Sequence, residues 1–189
     1  MTNITGHTKL TGLLGSPVSH SISPIMHNEA FRMLSLDYVY LCFDVTEAAL
    51  PEAVRGLKTC GIRGFNLTMP CKNRVVELLD ELSPSARLIG AVNTVVNENG
   101  RLIGHNTDGV GYMRSVKDAG HDIIGKTMTL MGAGGAATAI CAQAALDGVS
   151  LIHVFARRTS RFWNRTQALA DTINRTLPCR VLLHENEDL

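Results

Sequence analysis

The chain has 189 residues, room for one ordinary domain or two small ones. With 45% hydrophobic and 19% charged residues, 17 Gly and 6 Pro, the composition is globular and excludes a disordered tail or a collagenous segment. Lys and Arg total 18 against 17 Asp and Glu, a formal charge of +1, so no overall field exists to hold nucleic acid and a small-molecule ligand is expected.

Leu10 to Gly15 reads as a short buried strand, and Ser23-Pro24 then opens a helix to about Leu34, with serine at the cap and proline at the first helical position. Tyr38 to Val45, aromatic and β-branched, is a second strand. A helix from about Leu50 to Cys60 stops at Gly61, a brief strand covers Gly64 to Leu67, and the loop Thr68-Met69-Pro70-Cys71-Lys72 leads into further helix. Ala91 to Val96 and Arg101 to His105 form a hairpin around Asn97-Glu98-Asn99-Gly100, because Asn-Gly supplies the positive φ values of a tight turn. Beyond Asn106-Thr107-Asp108-Gly109 a helix capped by Asp108 runs to about Ala119.

From Thr127 the pattern becomes strand (Thr127 to Met131), glycine turn, alanine-rich helix (Gly135 to about Asp147), strand (Leu151 to Ala156), helix (Phe162 to about Arg175) and strand (Arg180 to His184). This is one βαβαβ unit, so the expected fold is α/β: an N-terminal α/β domain followed by the first half of a Rossmann-type doubly wound parallel sheet. The expected boundaries are 1–107 and 108–189.

Gly132-Ala133-Gly134-Gly135-Ala136-Ala137 fits G-x-G-x-x-G/A between a strand and a helix. Gly132 permits the turn, Gly134 admits backbone close to a pyrophosphate, small Ala137 lets helix pack on strand, and the N–H groups at the helix start face the anion. A merely tight connection would show the same local residues; the βαβαβ context favours a dinucleotide. After the second strand of this unit come Arg157 and Arg158, with no acid, which favours the 2′-phosphate of NADP over NAD; a solvated corner or an adenine stack are the other uses of such a pair.

The five cysteines (42, 60, 71, 141, 179) are odd in number and lack C-x-x-C spacing, and MTNITGHTKL has no signal-peptide apolar run. No apolar stretch approaches the ~20 residues that cross a bilayer, so a reducing cytoplasm and no membrane partner are expected. Seven scattered histidines form no metal motif, and no metal is expected. His20 is read as a structural loop residue, Cys71 as a small gap-filler that a thiol reagent could also find, and Trp163 as packing its own helix.

Three loops of the first part are rich in small polar groups, Ser21-Ile22-Ser23-Pro24, Asn66 to Lys72 and Asn106 to Gly109, and Asn93-Thr94 adds a fourth element. Hydroxyls and amides with one Lys and one Asp suit a polyhydroxylated small acid, each of whose hydroxyls needs a directed partner once water is displaced. Read together, H-S-x-S-P at His20 to Pro24, N-x-T-x-P-x-K at Asn66 to Lys72, G-A-x-N-T at Gly90 to Thr94, N-T-D-G at Asn106 to Gly109 and G-A-G-G-A at Gly132 to Ala136 resemble the shikimate and quinate/shikimate dehydrogenases, across essentially the whole chain.

That resemblance implies that Ser21 and Ser23 hold a substrate carboxylate, that Thr68, Lys72, Asn93 and Asp108 contact the substrate's ring hydroxyls, and that Lys72 and Asp108 are the catalytic pair. It implies reversible oxidation of shikimate, or quinate, to the 3-dehydro ketone, in aromatic amino acid (chorismate) biosynthesis or quinate metabolism. It also implies NADP, or NAD as a second cofactor, on Gly132, Ala133, Gly134, Gly135, Ala136, Arg157 and Arg158, in a monomer or homodimer. The chemistry agrees: hydride departure from a carbinol requires loss of the hydroxyl proton, which a partly shielded lysine can accept, so oxidation is expected to run fastest on the alkaline side.

Singly, Ser23-Pro24 is also a helix cap, Lys72 a solvated side chain, Asn93 a turn amide and Asp108 a cap. Together, beside a dinucleotide turn, they form a set that independent caps do not assemble. A non-catalytic shikimate, quinate or nucleotide sensor on this scaffold is the alternative, opposed by retention of Lys72 and Asp108. A folate-type dehydrogenase of similar layout is opposed by the serine pair. Lys126 to Leu189 suffices for one βαβαβ half only, so the chain reads as lacking the C-terminal part that the family resemblance implies, including a glutamine-bearing segment.

Overall fold

Strand and helix alternate along the whole chain in the computed structural model, which describes residues 4–186. Internal contacts group the chain into two units, the first ending at His105 and the second beginning at Asn106.

The first unit contains β1 (Lys9–Gly15), α1 (Ser23–Met33), β2 (Tyr38–Asp44), α2 (Leu50–Thr59), β3 (Gly64–Leu67), α3 (Cys71–Arg74) with a following 3-10 turn, β4 (Glu81–Leu82), α4 (Pro84–Ile89), β5 (Thr94–Glu98) and β6 (Arg101–His105). Its sheet has the order β2-β1-β3-β5-β6-β4. Every neighbouring pair is parallel except those made by β5, which is antiparallel to both β3 and β6. The C-terminal ends of β1, β3 and β6 therefore lie along one edge with the beginning of β5.

Alternation along β1 divides the core. Leu10 and Leu14 face a cluster with Leu50 and Val54 of α2, Ile62, Phe65, Leu67, Val75, Val92, Val95 and Leu102. Leu13 faces the other side, with Val18, Tyr40, Phe31 and Cys42. Each fully buried aliphatic side chain there contributes ~1.5–3 kcal/mol over its exposed state.

Two short elements had no sequence expectation, β4 and α4. The latter begins at Ser83-Pro84, with Ser83 at the cap position and its hydroxyl accepting from the Ala86 N–H (3.3 Å). The strand expected from Ala91 starts at Thr94, because the Val92 N–H is taken by the Lys72 carbonyl (2.8 Å). Asn99 (φ 54°) and Gly100 (φ 90°) make the hairpin turn.

The second unit runs α5 (Asp108–Asp118), β7 (Thr127–Met131), α6 (Gly135–Asp147), β8 (Leu151–Ala156), α7 (Trp163–Thr176) and β9 (Arg180–Glu185), with three parallel strands in the order β7-β8-β9. The alanine-rich α6 buries Thr138, Ala139, Cys141, Ala142, Ala144 and Ala145, small side chains that let backbones approach closely. The expected ends of the chain at Met1–Asn3 and Glu187–Leu189 lie outside the described residues. No helix among the described residues is long and apolar enough to cross a membrane.

Candidate active site

The shared strand edge of the first unit gathers polar side chains from separate stretches of sequence. Gly15 ends β1 because nothing larger fits: a Cβ there would collide with the Thr68 methyl and lie 2.8 Å from the Met69 carbonyl oxygen. Ser16 N–H donates to that same carbonyl (3.1 Å), and Thr68 N–H donates to Leu14 O (3.0 Å), binding the loop after β3 to the end of β1. Thr68 is half-buried, and its carbonyl accepts from the Cys71 N–H (2.9 Å), which turns the chain into α3. Lys72, expected in the loop, stands half-buried in the first turn of α3.

Asn93 is buried, with 9% of its surface exposed, immediately before β5. Its N–H donates to His105 O (3.0 Å) and its carbonyl accepts from the Leu67 N–H (2.9 Å), so it is tied to the ends of both β6 and β3. Thr68, Lys72 and Asn93 are thereby brought to one edge, while Ser21 and Ser23 stand in the segment that leaves the end of β1.

The serine at the start of α1 departs from expectation. Ser23 is the first residue of the helix, the cap position falls on Ile22, and the Ser21 hydroxyl accepts from the Ser23 N–H (3.2 Å). The start is set by a local serine turn, in which the Ser21 hydroxyl reaches the N–H two residues on, and no side chain caps the helix. The same correction applies to Asp108. It is the first residue of α5, Thr107 is at the cap position, and Asn106 Oδ1 accepts from the Asp108 N–H (3.2 Å).

Sequence reasoning did not single out Tyr40, Asn66 or Thr94 as site residues, yet they surround Asn93. The Tyr40 hydroxyl donates to Asn66 Oδ1 (2.8 Å); Asn66 Nδ2 donates to Asn93 O (3.2 Å) and Thr94 Oγ1 (3.0 Å); Thr94 Oγ1 donates to Asn93 Oδ1 (3.0 Å). Burial pushes the Tyr40 phenol well above its ordinary range and holds the His27 imidazole below its own.

In the second unit, Gly132 has φ 108°, a conformation L side chains rarely adopt, and follows β7 directly. Gly134 is different. Its backbone is extended (φ −72°, ψ −179°) and its missing Cβ would meet nothing within 4 Å. The protein's own packing makes no use of a glycine there, whereas close approach by a pyrophosphate would. Gly135 and Ala136 are exposed at the start of a 13-residue helix, and Ala133 and Ala156 pack against buried Trp163. These residues fit a dinucleotide: open space beside the turn, and helix-start N–H groups to meet an anion.

The arginines after β8 are not equivalent. Both are exposed, and the Arg158 guanidinium lies 4.7 Å from the Trp163 ring centroid and 3.8 Å from a Glu185 carboxylate oxygen. Trp163 thus both packs its helix, 7% exposed, and supports Arg158. Cys71 is wholly buried, its thiol donating to Val45 O (3.5 Å) and pushed up in pKa by burial, which removes it from the reach of thiol reagents. All five cysteines are free. Among the described residues, no cluster of three or more His, Cys, Asp or Glu could hold a metal.

Comparison with known proteins follows these features. A family model described as the shikimate dehydrogenase substrate binding domain matches residues 13–95. The chain is 55% identical over 185 residues to the shikimate dehydrogenase (NADP(+)) of Listeria monocytogenes, an alignment covering 98% of this chain and 63% of that relative. It superposes with TM-score 0.96 and 54% identity on a crystal structure of shikimate 5-dehydrogenase from Listeria monocytogenes in complex with shikimate and NAD, covering 100% of this chain and 65% of that one. A ligand-free 5-ketofructose reductase from a Gluconobacter strain superposes with TM-score 0.88 and 35% identity, over 96% of this chain and 64% of that one. The chain spans about 63% of the length of such curated relatives.

Proposed function

We propose that the chain belongs to the shikimate dehydrogenase family and that the protein carrying it is an oxidoreductase that moves a hydride between NADP(H) and the shikimate/3-dehydroshikimate pair. The observation that carries this reading is the convergence of Thr68, Lys72 and Asn93 on one strand edge. The cap positions of α1 and α5 fall on Ile22 and Thr107, so neither Ser23 nor Asp108 serves as a helix cap.

In this reading residues 1–107 hold the substrate and 108–189 the dinucleotide. Ser21 and Ser23 offer hydroxyl donors to the carboxylate. The Ser21 oxygen already accepts a backbone N–H, so its single proton is what it has to give. Thr68 and Asn93 direct the ring hydroxyls, with Asp108 accepting from one of them. Lys72 takes the carbinol proton as the C–H electron pair leaves as hydride, and returns it to the ketone oxygen in reverse. When bound, the nicotinamide supplies the hydride acceptor.

Gly132, Ala133, Gly134, Gly135 and Ala136 cradle the pyrophosphate, and exposed Arg157 meets a 2′-phosphate, with Arg158 beside it on Trp163. The Listeria complex holds NAD, so use of both dinucleotides is part of the proposal, as is quinate as a second substrate. A 5-ketofructose-like substrate has no carboxylate to engage the serine pair and is the weaker reading. Five free thiols suit a cytoplasmic setting.

Nicotinamide reduction with shikimate and quinate, each offered NADP+ and NAD+, tests the assignment. Shikimate with NADP+ is expected to give the highest kcat/KM. Absence of reduction in all four pairs would overturn it.

A further inference from the structure

The hydrogen bonds around Asn93 have a direction that can be fixed without seeing a proton. The carbonyl of Asn93 is an obligate acceptor, so the end of the Asn66 side chain lying 3.2 Å from it is the amide nitrogen. Asn66 Oδ1 then faces Tyr40, whose hydroxyl must donate (2.8 Å). The same Asn66 nitrogen donates to Thr94 Oγ1 (3.0 Å), whose own proton is donated onward to Asn93 Oδ1 (3.0 Å). The chain of donors runs one way, from phenol to amide to hydroxyl to amide, and fixes which end of the Asn93 side chain is carbonyl and which is N–H.

Tyr40 is built to be a fixed starting point. It is only 2% exposed. Its ring stacks on His27 of α1 (centroids 4.3 Å apart, planes 9° apart). Its backbone is held by the Asn28 side chain at both polar atoms, Asn28 Nδ2 donating to Tyr40 O (3.0 Å) and Tyr40 N–H donating to Asn28 Oδ1 (2.9 Å). The helix that carries Ser23 at its start is thus locked to the residue that starts the relay to Asn93. A buried phenol whose proton is hard to remove suits a permanent donor.

We propose that Tyr40 is a positioning residue for substrate binding: through Asn66 and Thr94 it sets the polarity of the Asn93 amide, so that Asn93 presents an N–H donor to a ring hydroxyl of the bound acid. The proposal rests on the functional reading above, in which Asn93 contacts the substrate. Tyr40→Phe keeps the ring, the His27 stack and both Asn28 bonds and removes only the donated proton. Asn66 then loses the partner that opposes its rotation, and the order downstream is lost.

The test is a double-mutant cycle on wild type, Tyr40→Phe, Asn93→Ala and the double variant, measuring shikimate Kd, KM for each substrate, kcat and Tm. Tyr40→Phe should weaken shikimate binding by roughly tenfold, the effect of one directed hydrogen bond, with KM for NADP+ unchanged. In the Asn93→Ala background it should have no further effect, because the group being oriented is gone; a merely structural role would give effects that multiply. Should Tyr40→Phe fail to fold, Thr94→Val interrupts the relay without touching the ring, and the same loss is expected. Wild-type shikimate affinity in Tyr40→Phe, or independent effects in the cycle, would overturn the relay while leaving the site assignment standing. Wild-type protein that binds no shikimate would overturn the assignment and the relay together.

Discussion

In the second unit the candidate dinucleotide cradle, Gly132 to Ala136, is one unbroken turn between β7 and α6, whereas the first unit draws its candidate residues Ser21, Ser23, Thr68, Lys72 and Asn93 from segments far apart in sequence that border the paired strands β1, β3, β5 and β6. The turn is held by backbone conformation, above all the positive φ of Gly132. The polar edge is held by side-chain hydrogen bonds that reach back to Tyr40 in β2, on the far side of β1. A continuous site should therefore fail through its backbone, and an assembled one through loss of directed bonds.

The sharpest way to break that comparison is at the chemistry. Lys72→Ala removes the proposed proton acceptor without touching the relay, so turnover should fall by about 10²–10⁴-fold while shikimate binding, read by calorimetry, is largely kept. Unchanged turnover would take Lys72 out of the mechanism.

The cradle offers a paired test of smaller effects. Gly132→Ala forces a Cβ onto a left-handed backbone and should cost about 1–3 kcal/mol in denaturant unfolding. Gly134→Ala, in extended backbone with open space around it, should change stability by no more than about 0.5 kcal/mol while weakening NADP+ binding measurably. Equal stability losses at the two glycines would erase the distinction, and unweakened NADP+ binding in Gly134→Ala would remove that glycine from the cradle.

The smallest effect is a pH dependence at His27. Burial lowers its folded pKa below 6.5, so the unfolded chain binds the proton more readily. The first unit should have its full stability above pH 6.5 and lose it progressively as the pH falls through that value toward the folded pKa. Melting curves of His27→Phe between pH 8 and 5 should show a shallower decline than wild type; identical slopes would show that His27 does not contribute.

These differences also explain what could be read in advance. The βαβαβ unit was legible almost residue by residue, because strand, glycine turn and helix each carry their signal locally. The polar loops were legible as short motifs, but the order β2-β1-β3-β5-β6-β4 that unites them depends on pairing between distant segments, which no window of sequence contains. Ser23 and Asp108 stand one position inside their helices, because the turns made by Ser21 and Asn106 two residues upstream put Ile22 and Thr107 at the caps. Tyr40 stood in plain view as a β-strand aromatic. Its hydroxyl matters only through a partner 26 positions away, and nothing in the local pattern separates that tyrosine from Tyr38.

In the proposed site the strand edge of the first unit holds the hydroxy acid and the turn of the second holds the dinucleotide. Amide chemical-shift mapping of this chain, titrated separately with shikimate and with NADP+, tests it most directly. Shikimate should shift the resonances of Ser21, Ser23, Thr68 and Asn93 saturably and leave Gly132 to Ala136 in place, with NADP+ doing the reverse. Saturable shikimate shifts that bypass those four residues, or none at all, would contradict it.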